Sequence, residues 1–214
     1  MDVATSVMTA MFGGSFDPVH LGHLHLVHTV VQTMNYRRFI FIPVAQNNFK
    51  RSARLAEAHH RLAMLQLSFE AYERLYPEDP PLELVTDACE IERGGVSYTY
   101  DTVKHLYLQY SVKGRIGLVM GDDLLGDLPR WHEYEALKEL VSFVVIRRKP
   151  ESAVFSDLAV DLEYIDNTVY EDSSTAIRKA CSVLQGDERL SPSIRALMCE
   201  EVADYVQQYK LYRT

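Results

Sequence analysis

Short apolar runs alternate with longer amphipathic stretches along the whole chain. Val7 to Phe12, Arg38 to Val44, Arg115 to Gly121 and Val141 to Arg148 are a few residues long and nearly uniformly apolar within. Such runs read as strands covered on both faces. Between them the period changes. Leu24, Leu26, Val27, Val30 and Val31 recur at helical spacing. Glu57 to Tyr76 predicts a long amphipathic helix carrying Leu62, Met64, Leu65, Leu67 and Phe69, ended by Pro77, Pro80 and Pro81. Leu82 to Thr86 and Ala88 to Glu92 read as strand with a bend near Asp87. The glycine turn at Arg93 to Thr99 leads into a helix from about Tyr100 to Tyr110, with Ser97 or Thr99 as its cap. Glu133 to Leu140 predicts a helix, and Asp161 to Ile165 a short strand. Asp172 to Arg178 opens another helix, which Gly186-Asp187 breaks. Ser191-Pro192 starts the last one, with Ile194, Leu197, Val202, Tyr205 and Tyr209 as its apolar stripe.

The alternation predicts an α/β fold: a Rossmann-like, doubly wound, mostly parallel sheet with helices on both faces. Right-handed crossovers would bring the strand ends at Phe12, Val44, Gly121 and Arg148 to one edge. The 214 residues suit a single domain, 1–214, with a helical C-terminal segment from about residue 173. An apolar fraction of 47% supports a sizeable core. The formal charge of −8 sets the surface as a whole against nucleic acid and anionic membranes, so an anionic substrate needs a local cationic patch. Cys89, Cys181 and Cys199 are odd in number and far apart, which offers no disulfide framework and suits a reducing, cytoplasmic setting. No apolar run reaches the ~20 residues of a membrane span.

Candidate chemistry concentrates after the first strand. Gly13-Gly14-Ser15-Phe16-Asp17-Pro18-Val19-His20-Leu21-Gly22-His23 reads as a strand–loop–helix junction. The glycines would let the backbone turn and approach a ligand closely. Asp17-Pro18 reads as a helix start, a cap followed by proline at the first helical position. His20 and His23 would then lie about 60° apart on one face of the first turns. Free N–H groups at a helix N-terminus, flanked by two imidazoles, suit a phosphate. Zinc suits the stretch poorly, because His25 points away from His20 and no carboxylate or cysteine shares their face. A cationic loop, Ala45 to Arg54, follows the second strand, and Asp122-Asp123 follow the run ending at Gly121. A second hydroxyl-rich helix start, Ser173-Ser174-Thr175-x-x-Arg178, places a guanidinium one turn in, where it can grip phosphate with two N–H groups.

Gly14 to His23 resembles the H-x-G-H signature of the nucleotidyltransferase superfamily, and Ser173 to Arg178 resembles its I-S-S-T-x-x-R motif. The middle of the chain narrows this. Arg93-Gly94-Gly95-Val96-Ser97-Tyr98-Thr99 and Gly121-Asp122-Asp123 through Leu128-Pro129-Arg130-Trp131-His132 are similar to the bacterial-type nicotinate-nucleotide adenylyltransferases. The resemblance covers almost the whole chain, including the closing Tyr209-Lys210-Leu211-Tyr212. It implies adenylyl transfer from ATP to nicotinate mononucleotide, with His20, His23 and Arg178 catalytic. It implies that Gly13, Gly14, Ser15, Phe16, His20, His23, Ser173, Ser174 and Arg178 bind ATP, and that Lys50, Thr99, Asp123 and Trp131 bind the mononucleotide. Mg²⁺ is expected to arrive with ATP, without a dedicated protein cage.

Two positions depart from the family pattern: Asp172 replaces an apolar residue, and Phe49 replaces the histidine of a P-P-H-K loop. Other acceptors, such as nicotinamide mononucleotide or phosphopantetheine, a cytidylyl donor, and an ATP-binding sensor without turnover are the alternatives.

Overall fold

The computed structural model describes residues 7–45, 55–147, 160–166 and 173–214. Six strands form one sheet: β1 (Met8–Gly14), β2 (Tyr36–Pro43), β3 (Glu83–Thr86), β4 (Ile116–Gly121), β5 (Val141–Arg147) and β6 (Leu162–Asp166). Their order is β3-β2-β1-β4-β5-β6, and every neighbouring pair is parallel. The helices are α1 (Leu21–Thr33), α2 (Ala58–Leu75), α3 (Cys89–Arg93), α4 (Thr99–Gln109), α5 (Tyr134–Leu140), α6 (Ser173–Ser182), α7 (Pro192–Arg195) and α8 (Glu200–Gln208). A 3₁₀ segment, Asp122–Arg130, follows β4.

Successive residues of a strand face opposite sides of the sheet, so an unbroken apolar run feeds two cores at once. Phe12, Phe41, Val119 and Val144 join one layer, with Val27 and Val30 of α1, Met64 and Leu65 of α2, Ile177 of α6 and Val202 of α8. Their neighbours Met11, Ile40, Leu118 and Val145 join the other, with Val103 and Leu106 of α4 and Leu137 of α5. The doubly wound architecture read from the sequence is the observed one.

Four local expectations are corrected. Ala88 to Glu92 is not strand. The Asp87 carboxylate accepts the Cys89 N–H at 2.9 Å and starts α3, and Gly94, at a φ of 66°, stops it. Five residues between the turn closed by Asp87 and a left-handed glycine suit one helical turn better than a bent strand. Neither Ser97 nor Thr99 caps α4: its N-cap is Tyr98, with no side-chain bond. The last helix is two, α7 and α8, so the apolar stripe is divided and Tyr209 is exposed. Asp17-Pro18 does not start α1, as the site geometry explains.

Candidate active site

The chain runs from β1 outward to β2 and β3, then returns to place β4 on the other side of β1. Between β1 and β4 the winding reverses, and the crevice at the strands' carboxyl ends there is where open α/β sheets bind ligands. Two segments leave this point: Ser15 to His20 after β1 and Asp122 to Trp131 after β4. Of the residues singled out in the sequence, Ser15, Phe16 and His20 fall on the first and Asp123 and Trp131 on the second.

The first segment differs from its reading. Gly13 and Gly14 belong to β1, and the turn is made at Phe16, which sits at a φ of 47°. Gly13 is exposed, with no atom within 4 Å of where a Cβ would stand; at Gly14 a Cβ would meet the Phe16 ring at 3.0 Å. Phe16 is fully buried, edge-on to Phe12 and 5.1 Å from the His23 ring, so its side chain supports the histidine from below. Asp17 is also fully buried. Its Oδ1 accepts the Ala56 N–H at 3.0 Å and the Tyr212 hydroxyl at 2.9 Å, and so anchors the loop instead of capping the helix.

The cap of α1 is His20. Its Nδ1 accepts the Gly22 N–H at 3.1 Å, while Nδ1 of His23 accepts the His20 N–H at 3.2 Å. This reciprocal pattern is a capping box built from imidazoles. The Leu21 N–H is bound to the Leu197 carbonyl at 2.9 Å. Helix N–H groups expected to meet phosphate are therefore already engaged. An Nδ1 that accepts lacks a proton, so a neutral ring in this arrangement carries its N–H on Nε2. The two rings stand 3.9 Å apart between centroids.

The second helix start packs onto the same loop. Arg178 donates to the Asp17 carbonyl at 2.6 Å and to Thr175 Oγ1 at 3.3 Å, and the Ser174 hydroxyl donates to the Pro18 carbonyl at 3.0 Å. Two segments about 160 residues apart thus converge two and three residues before His20. Ser174 is buried, and its hydroxyl is spent on the loop. A hollow of about 430 Å³ lies beside it, lined by Thr175, Arg178, Lys179, Ser182 and Tyr212.

Across the crevice, Thr99 opens α4 and Trp131 closes the 3₁₀ segment, half-buried against the β4–β5 core. Tyr98 lies 4.4 Å from the His132 ring, so the segments bearing Thr99 and Trp131 are neighbours. Asp123 is exposed on the same 3₁₀ segment.

Comparison with known proteins bears on the family and the fold. The Cytidylyltransferase-like family model matches residues 11–180. A Gemmatimonas aurantiaca protein named probable nicotinate-nucleotide adenylyltransferase is 33% identical over 210 residues, covering 95% of this chain and 91% of its own. A Lactococcus lactis protein of the same name is 30% identical over 213 residues, covering 100% and 99%. The chain belongs to the nicotinate-nucleotide adenylyltransferase family. A Treponema pallidum member reaches 39% identity over 138 residues, where the match spans 64% of this chain and 63% of that relative. Among solved structures, Plasmodium falciparum nicotinic acid mononucleotide adenylyltransferase complexed with NaAD aligns with a TM-score of 0.69 at 19% identity, covering 96% of this chain and 97% of that one. Likeness at that identity speaks for the fold.

Within this adenylyltransferase fold, Lys50, with Phe49 and Asp172, lies outside the described residues, as does the side chain of Ser173. Sequence reasoning missed Asp17 as an anchor, and it missed Arg61. Arg61 is 2% exposed and donates to the carbonyls of Ser15 at 2.9 Å and Ala56 at 3.2 Å. Its spacing from Met64, Leu65 and Ser68 placed it on the buried face of α2, and that is the signal that was available. Among the described residues one group, Asp87, Cys89 and His105, gathers metal-type ligand atoms within 4.8 Å. Burial pushes the Cys89 thiol up to about 12, so it stays protonated. Burial would also raise Asp87, but bonds from Cys89, Tyr110 and His105 outweigh it and hold the carboxyl below its usual range. The group works as a hydrogen-bonded hub at the end of β3.

Proposed function

We propose that this crevice transfers the adenylyl group of ATP to nicotinate mononucleotide, forming deamido-NAD and pyrophosphate. The observation that carries the reading is the docking of Ser174 and Arg178 onto the loop that ends in the His20–His23 capping box. The 5′-phosphate of the mononucleotide has a second pKa near ~6, so its oxygen is already a nucleophile at neutral pH and needs no strong base. That oxygen bonds to the α-phosphorus of ATP as the bond to the β-phosphate bridging oxygen breaks, and pyrophosphate leaves with its electron pair. The protein's work is alignment and neutralisation of the charge spread over the phosphoryl oxygens. His20 and His23 donate from Nε2 to the transferring group, and Arg178, one turn into α6, holds the leaving phosphates. Trp131 offers a face for the pyridine ring, with Thr99 and Asp123 beside it. ATP enters as its Mg²⁺ complex, the cation bound to phosphate oxygens. The reaction is proposed to run in a reducing, cytoplasmic setting, a reading supported by three free, buried cysteines.

The test is direct. Purified protein with ATP, Mg²⁺ and either pyridine mononucleotide should form dinucleotide and pyrophosphate in equal amounts, faster with nicotinate. ATP binding without pyrophosphate release in the presence of either acceptor would leave only a sensor.

A further inference from the structure

The loop between β1 and α1 has no regular structure of its own, so whatever holds it decides where His20 stands. One of its holds comes from the far end of the chain. The Tyr212 hydroxyl donates to Asp17 Oδ1 at 2.9 Å. Asp17 is 0% exposed, and its Oδ2 has no hydrogen-bond partner. Only the Ala56 N–H and this phenol donate to the carboxylate among the described residues, with Arg61 adding positive charge nearby. A buried carboxylate deprived of a donor either moves or draws in water.

The tail is shaped to deliver that hydroxyl. Lys210 and Tyr212 both take left-handed backbone conformations, with φ of 51° and 64°, which a bulky side chain adopts only when its surroundings enforce it. Both sides of Tyr212 are stapled. Arg213 donates to the carbonyls of Gly186 and Glu188, Leu211 N–H to Val206, and Lys210 pairs with Asp187. Tyr212 also borders the Arg178 hollow, so it touches both halves of the phosphate cradle.

We propose that Tyr212 is a positioning residue for ATP: its hydroxyl latches the C-terminal tail to Asp17 and fixes the loop that carries His20. This rests on reading that loop as the ATP phosphate cradle. Tyr212→Phe removes the hydroxyl and keeps the ring. The Kd of a non-hydrolysable ATP analogue, by calorimetry, should rise about tenfold or more, as should KM for ATP, consistent with losing a bond to a buried charge. KM for nicotinate mononucleotide should stay within about twofold, because Trp131 and Thr99 stand across the crevice. Lys210→Ala removes only an exposed ion pair, leaving the Arg213 and Leu211 bonds and the Tyr212 hydroxyl in place, and should leave all three constants at parental values. A merely structural tyrosine would lower Tm and burden both substrates alike. That outcome, or ATP constants within about twofold of the parent, overturns the latch. A parent that binds the analogue but makes no dinucleotide would sink the proposed reaction alone, and the analogue Kd would still decide the latch. A parent that does not bind the analogue overturns both.

Discussion

Each imidazole of the capping box holds the helix through Nδ1, and in the proposed reaction Nε2 donates to substrate, so the two jobs separate by mutation. At His20, which has the extended backbone of an N-cap, asparagine can place its side-chain oxygen where Nδ1 accepts the Gly22 N–H. His20→Asn therefore keeps the cap and deletes only the Nε2 donor, whereas His20→Ala deletes both. Loss of an N-cap costs about 1 kcal/mol. In a domain of this size that lowers Tm by roughly 2–4 °C. Loss of one preorganised donor to a transferring group costs on the order of 10²–10³ in turnover. The expected pattern is a Tm drop in His20→Ala alone and a similar loss of kcat in both variants. Calorimetric melting and pyrophosphate release measure the two quantities independently. If His20→Asn turns over like the parent, Nε2 has no part in catalysis. If it melts as low as His20→Ala, the cap has been misread.

Trp131→Ala should raise KM for the mononucleotide roughly 5- to 100-fold, the range for losing a base–aromatic stack, with KM for ATP within about twofold; equal effects on both substrates would exclude stacking. Burial pushes Cys89 up to about 12 and Cys181 and Cys199 up to about 11, so all three thiols should resist a disulfide reagent at pH 8 and react together on unfolding; a rapidly titrating native thiol would contradict the burial. Burial also raises Glu90, with Thr102 and Arg93 opposing in part. Such a group's contribution is whole below its unfolded value and is lost as pH rises through the folded one. Glu90→Gln should therefore stabilise the protein at pH 8 and do so progressively less towards pH 4.5, in urea melts; a pH-independent difference would show that Glu90 is not the titrating group.

The sheet was readable from the chain because a strand buried on both faces must be apolar at every position, and such runs stand out from amphipathic helices without any knowledge of neighbours. The place of the candidate site was readable for a related reason: Gly13, His20, Thr99 and Trp131 sit where periodic patterns stop, and in an open parallel sheet one set of stops shares an edge. Which groups would be engaged there could not be read. That Asp17 goes inward, and that Leu197, Arg61 and Tyr212 brace the loop, depend on contacts across 39 to 195 residues of sequence, as between Asp17 and Ala56 or Tyr212. Local chemistry rated Asp17-Pro18 a sound helix start. Tertiary packing overruled it, because a buried carboxylate goes where donors converge, and those donors come together only in the folded chain.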